Sequence, residues 1–129
     1  MKPLPPYADF LGLRTERGAD GEWLFVMPFG ERVTGRPGYL HGGAIAGLLE
    51  FAAFGALNEA LGEDRPEAKP VNVTVQYMRG GVSHDTYAAA RVTRLGKRVA
   101  TVEAHAWQRD RETPIAAAQM NILLRRNQA

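Results

Sequence analysis

The chain has no cysteine. Disulfides, thiolate nucleophiles and cysteine-ligated zinc are therefore excluded. Histidine is scarce as well. His41, His84 and His105 stand far apart without ligand-like spacing, so no metal centre is expected. Lysine is rare and the cations are nearly all arginine, yet the formal net charge is only +2. So small a balance gives no argument for nucleic acid, although arginine suits bidentate phosphate contacts. The start, Met1-Lys2-Pro3-Leu4-Pro5-Pro6, lacks the apolar run of a secretory signal. The one long apolar run, Gly42 to Leu57, is marginally short for a bilayer and carries Glu50 and several glycines, so no membrane span is expected. The expectation is a soluble, cytoplasmic protein. With 129 residues, 45% hydrophobic and 23% charged, one domain over 1–129 can bury its own core.

That apolar run organises the rest. It is opened by Leu40-His41-Gly42-Gly43, and Glu50 is its only charged side chain. The run reads as a helix starting at Gly42 or Gly43 and stopped near Leu61-Gly62. Being apolar all round, it is expected to be buried all round, with only Asn58 and Glu59 wet. A carboxylate in that setting is neutral, paired or used.

On either side the pattern changes to strands. Residues 1–20 read as a short helix or irregular arm, with Phe10, Leu11 and Leu13 docking on the body. Glu22 to Met27 reads as the first main strand, ended by Pro28. Phe29 to Tyr39 is a glycine-rich loop, and Glu63 to Pro70 a charged surface loop. Val71 to Met78 alternates, with Val71, Val73, Val75 and Tyr77 on one face. Thr86 to Leu95, Arg98 to Gln108 and Pro114 to Leu124 follow as strands, and Arg125 to Ala129 as a basic tail. Tight turns between consecutive strands argue for an antiparallel sheet, and one apolar helix argues that the sheet curls around it. The fold class is therefore α+β, a curled antiparallel β-sheet wrapped around one long central helix, with a core of about 20–125. Open sheet edges point to an oligomer in which edges join.

Four features carry a family resemblance: His41-Gly42-Gly43, a glutamate nine residues after the histidine, Tyr77-Met78-Arg79, and Gly96-Lys97-Arg98 leading a strand. Together they resemble the hotdog-fold acyl-CoA thioesterases of the 4-hydroxybenzoyl-CoA and phenylacetate-pathway type. The resemblance implies a homodimer assembled as a homotetramer, with active sites at the subunit interface. It implies hydrolysis of an acyl-CoA or aryl-CoA thioester, with coenzyme A as part of the substrate and no separate cofactor. Gly42 matches the glycine whose backbone N–H polarises the thioester carbonyl, and a helix start suits that charge. Glu50 matches the acid, acting as nucleophile or as general base on water. His41 takes a supporting role beside them. Arg79 and the Gly96-Lys97-Arg98 turn match positions that contact the nucleotide and phosphates of CoA; Arg126 of the tail is a candidate to join them, and Gly43, Gly80 and Phe54 are the further substrate-binding candidates. Tyr39, Phe51, Phe54 and Met78 are candidates for an acyl pocket, although core packing explains them equally well. His84 and His105 read as ordinary strand residues.

Two positions depart from the family pattern. Gly35 stands where many relatives carry Asn or Gln, and Phe51 and the alanines follow Glu50 where a hydroxyl is common. Plainer readings also stand: a glycine pair as a mere entry turn, Glu50 paired with a buried arginine, and Arg79, Lys97 and Arg98 as solvated strand-end charges. A non-catalytic acyl-CoA binding domain and a hotdog hydratase or dehydratase of enoyl or 3-hydroxyacyl thioesters are the alternative functions.

Overall fold

A computed structural model describes residues 4–126. Pro3 of the proline-rich start and residues 127–129 of the basic tail lie outside the described residues. The elements are helix α1 (Pro6–Leu11), strands β1 (Arg14–Arg17) and β2 (Trp23–Met27), helix α2 (Gly42–Leu61), and strands β3 (Glu67–Tyr77), β4 (Thr86–Leu95), β5 (Val99–Trp107) and β6 (Ala116–Arg125). A single 3-10 turn, Glu31–Val33, interrupts the loop before α2. The strands form one six-stranded sheet in the order β1-β2-β4-β5-β6-β3, and every pair is antiparallel.

The sheet wraps α2 through small residues. Ala88 and Ala90 of β4, Ala104 and Ala106 of β5, and Ala116 and Ala118 of β6 lie across from one another in register, so their methyls form one low floor. Low side chains let the helix approach, and Ile45, Leu48, Leu49 and Ala52 fill the space between. Farther along, Ala53 and Leu57 pack with Val102, Met120, Ile122 and Leu124. Leu48, Leu49 and Leu57 are fully buried, which stabilises the fold by about 1.5–3 kcal/mol each. The helix ends at Gly62, whose positive φ of 62° suits glycine and whose N–H returns to the Asn58 carbonyl.

Four expectations need correction. First, α2 is not buried on every face. About 100° per residue places Gly43, Ala46, Glu50, Phe54 and Leu61 along one stripe, and none of these is fully buried. Second, Leu11 and Leu13 dock, but Phe10 is 47% exposed. Third, the arm also contains β1, whose sequence Arg-Thr-Glu-Arg has no apolar alternation to announce it. Fourth, Glu67 to Pro70 belongs to β3 rather than to a loop. β3 is an edge strand, where charges and proline are tolerated because one side of the ladder needs no donor. Its register shifts between Pro70 and Asn72. Beyond that bulge Val73, Val75 and Tyr77 face the helix side of the sheet, yet Val73 and Tyr77 stay exposed; of α2, Tyr77 meets the first residue, Gly42.

Candidate active site

The start of α2 is tied down by its surroundings. The His41 N–H donates to the Val33 carbonyl at 2.8 Å, and the Leu40 N–H to the Gly81 carbonyl at 2.9 Å. His41 is the N-cap, and its Nδ1 accepts the Gly43 N–H at 2.9 Å. An accepting Nδ1 fixes the neutral tautomer with its proton on Nε2. The Tyr77 hydroxyl donates to the Gly42 carbonyl at 2.8 Å. The His41 carbonyl takes the N–H groups of Ala44 and Ile45. Among the described residues the Gly42 N–H alone in this turn has no acceptor. A helix start with one free N–H, no side chain on that residue and a positive dipole end is a ready donor to an oxyanion.

The two glycines differ in what they permit. A Cβ on Gly43 would stand 2.9 Å from Nδ1 and Cε1 of His41, so the capping ring requires glycine there. A Cβ on Gly42 would meet the Tyr77 ring at 3.5 Å, an ordinary contact. A side chain at position 43 therefore displaces the His41 cap, whereas packing tolerates one at position 42. Gly35 is explained as well. Its N–H bonds the Tyr39 carbonyl, and a Cβ would lie 3.0 Å from the His41 Cα. The loop closes onto position 35, and the space a longer side chain would need is filled by backbone.

Glu50 lies about two turns into α2, half-buried, and no described residue forms an ion pair with it. The alternative of a buried arginine partner is thus excluded among the described residues. Gly42 and Glu50 are eight residues apart, about 12 Å along the axis. A glutamate side chain reaching about 5 Å toward the helix start still leaves about 7 Å. One chain does not bring the two groups onto one carbonyl.

The expected phosphate contacts separate likewise. Arg79 and Gly80 follow β3 at the end of the sheet near the start of α2, with the Arg79 N–H on the Ile115 carbonyl and Gly80 against the Tyr39 ring. Gly96, Lys97 and Arg98 form the β4–β5 turn at the opposite end, about 30 Å away along ten-residue strands. Arg126 does join that turn, donating to the Lys97 carbonyl at 2.7 Å, while its other amino group pairs with Asp64 at 2.6 Å. The acyl-pocket candidates divide too. Phe51 and Phe54 line a groove of about 690 Å³ with Leu4, Pro5, Trp23 and Phe25. Tyr39 and Met78 are not among its walls; both are exposed, and the Arg36 guanidinium lies over the Tyr39 ring.

His105 sits on the sheet face turned away from α2, beside a second cavity of about 420 Å³. Burial lowers its pKa below the usual histidine value, and the Arg111 guanidinium lowers it further. Arg111 donates to His105 Nε2 at 3.0 Å and clasps Glu22 through two bonds of 2.8 and 2.9 Å. Its hydrogen bond to Glu22 raises the Arg111 pKa above the usual arginine value. This network ties the β5–β6 turn to the start of β2. His84 lies in the loop before β4 against Arg109.

The feature that sequence reasoning passed over is the Tyr77 hydroxyl. Its signal was available: a tyrosine ending an alternating strand on the helix-facing side, next to glycines that leave a carbonyl open.

Comparison with known proteins places the chain. A family model described as the thioesterase superfamily matches residues 37–115. A curated relative from Halobacterium salinarum, an esterase by name alone, is 34% identical over 100 residues, which is 73% of this chain and 64% of the relative. The chain thus spans just under two thirds of that relative's length. Among solved structures, a Chromobacterium violaceum protein is 32% identical with a TM-score of 0.72, covering 95% of this chain and 85% of its own. A mutant thioesterase of Pseudomonas aeruginosa is 27% identical with a TM-score of 0.77, over 92% of this chain and 84% of its own. A Bacillus halodurans protein solved with CoA shares the fold, with a TM-score of 0.85 at 22% identity, over 97% and 82%.

Proposed function

The chain belongs to the thioesterase superfamily, and on that premise we propose that it hydrolyses acyl-CoA or aryl-CoA thioesters at a site shared by two subunits. The observation that carries the reading is the free N–H of Gly42 at a clamped helix start, with an unpaired glutamate on the same helix. In the proposed reaction the Gly42 N–H holds the thioester oxygen as charge develops on it. Glu50 of the partner subunit either takes a proton from water as the water oxygen adds to the carbonyl carbon, or adds to that carbon itself. The C–S bond then breaks, the thiolate of CoA leaves and is protonated, and the acid is released. If Glu50 adds directly, water cleaves the resulting anhydride in a second step.

The 12 Å rise between Gly42 and Glu50 is the reason for the second subunit. The open edge of β3 offers the means. Antiparallel pairing of two β3 edges about a twofold axis would set the two copies of α2 antiparallel, so that each Gly42 faces the partner's Glu50. The same pairing would bring the Arg79 end of one sheet toward the Lys97–Arg98 end of the other. That unites two cation groups which one chain keeps apart, and it supplies a place for the CoA phosphates.

The test is release of free thiol from a panel of acetyl-, hexanoyl-, crotonyl-, benzoyl- and phenylacetyl-CoA, the crotonyl ester being the enoyl member. Wild-type protein should release thiol from at least one, and Glu50→Gln should lose turnover while keeping its fold and its CoA-ester binding. Wild-type turnover in Glu50→Gln would refute the role of Glu50. Loss of an enoyl ester's absorbance without thiol release would mean a hydratase, and binding with neither would mean a binding domain.

A further inference from the structure

We propose that Tyr77 is a positioning residue for the oxyanion donor, an inference that rests on the thioesterase reading above. Two successive glycines are the least restrained backbone a helix start can have. Left alone, Gly42 and Gly43 would fray, and the Gly42 N–H would sample many directions. An oxyanion donor is effective in proportion to how little it must reorganise.

The peptide between Gly42 and Gly43 is held from both sides by side chains of different elements. Its N–H goes to His41 Nδ1 at 2.9 Å, and its carbonyl takes the Tyr77 hydroxyl at 2.8 Å. The tyrosine ring lies along Gly42, with Cε1, Cζ and the hydroxyl all 3.5 Å from where a Cβ would be. The preceding peptide is fixed through the His41 carbonyl, which takes the Ala44 and Ile45 N–H groups. With both flanking peptide planes fixed, the direction of the Gly42 N–H is set. His41 alone restrains only one side of this arrangement; Tyr77 supplies the other from strand β3, 35 residues away in sequence.

Tyr77 also carries the clamp to the sheet edge. It is the last residue of β3, on the same face as Val73 and Val75, and 54% exposed in the single chain. Whatever pairs with that edge covers the tyrosine and dries the bond it makes, and hydrogen bonds strengthen as water is excluded. The oxyanion donor is thereby made dependent on the edge at which a second subunit would join.

Tyr77→Phe tests this, because it removes the hydroxyl and keeps the ring. With the CoA ester of the panel that wild-type protein turns over fastest, kcat should fall about tenfold while KM stays within about twofold, since one net hydrogen bond is at stake. Asp20→Asn, in the exposed turn between β1 and β2 at the opposite edge of the sheet, should leave both unchanged. Unchanged kcat in Tyr77→Phe, or a loss confined to KM, would overturn the proposal. A second readout does not depend on turnover. In ¹⁵N spectra the Gly42 and Gly43 amide signals should move in Tyr77→Phe by more than those of Ala44 and Ile45. Should no ester be hydrolysed by wild-type protein, the thioesterase reading fails by itself, and unmoved glycine signals would overturn the clamp in either case.

Discussion

Gly43→Ala is the sharpest probe of the helix start, because two opposing terms can be worked out from the structure. The new Cβ would stand 2.9 Å from two atoms of the His41 ring. The ring has to swing away, and the 2.9 Å capping bond to the residue 43 N–H goes with it. Losing an N-cap costs about 0.5–2 kcal/mol. Alanine over glycine in a helix returns about 0.8–1 kcal/mol. The expected net change runs from a gain of about 0.5 kcal/mol to a loss of about 1.2 kcal/mol, so the melting temperature should fall by no more than about 5 °C. Activity should suffer more, about tenfold to a hundredfold, because the cap that holds the Gly42 turn is displaced. Repeating the change in a His41→Ala background removes the clash, so only the propensity gain remains and Gly43→Ala should then stabilise. Urea denaturation of the four proteins measures this as a double-mutant cycle. Equal effects of Gly43→Ala in both backgrounds would refute the capping account.

Other expectations follow from the same structure. Leu49→Ala empties a fully buried site between helix and sheet and should cost about 2–5 kcal/mol, read from the urea midpoint. Gly55→Ala places a Cβ 2.6 Å from the Phe25 ring, so it should destabilise by about 1–3 kcal/mol in the same assay. His105 has a lowered pKa in the folded protein, so between that value and the ordinary 6.5 the unfolded chain binds more protons. Stability is therefore fully present above the ordinary value and declines as pH falls through this window. His105→Gln should flatten the decline, and urea midpoints at pH 7.5 and 5.5 would reveal it. Asp64→Ala breaks only an exposed pair with Arg126 and should change stability by less than about 1 kcal/mol.

The parts of this fold that could be read from sequence are those where local chemistry and packing agree. The bounds of α2 were legible because glycines mark both ends of an unbroken apolar run. β4 and β5 were legible because alternation and a tight turn coincide. What was missed lies where tertiary context overrides local pattern. β1 has no apolar face because β2 alone covers it at the sheet edge, and Glu67 to Pro70 looks like a loop because edge strands favour such residues. The open stripe of α2 escaped notice because a helix apolar all round does not say which flank the sheet leaves uncovered. At the site, Gly42, Gly43 and His41 could be read as a group, since helix-start chemistry is local. The separation of Arg79 from the Gly96–Arg98 turn is a property of strand direction, and no short motif reveals it. Nor could the motif say why position 35 is glycine; the backbone of His41 pressed against it supplies the reason.

Mixed dimers test most directly whether Glu50 works with the helix start of another subunit. Co-expression of Glu50→Gln and His41→Ala chains under two different tags, with purification through both, isolates the mixed dimer. Each homodimer should have little thioesterase activity. A site shared across the interface predicts that the mixed dimer recovers about half of wild-type turnover, because one of its two sites is then built wholly from unmutated groups. A mixed dimer no more active than its parents would contradict it.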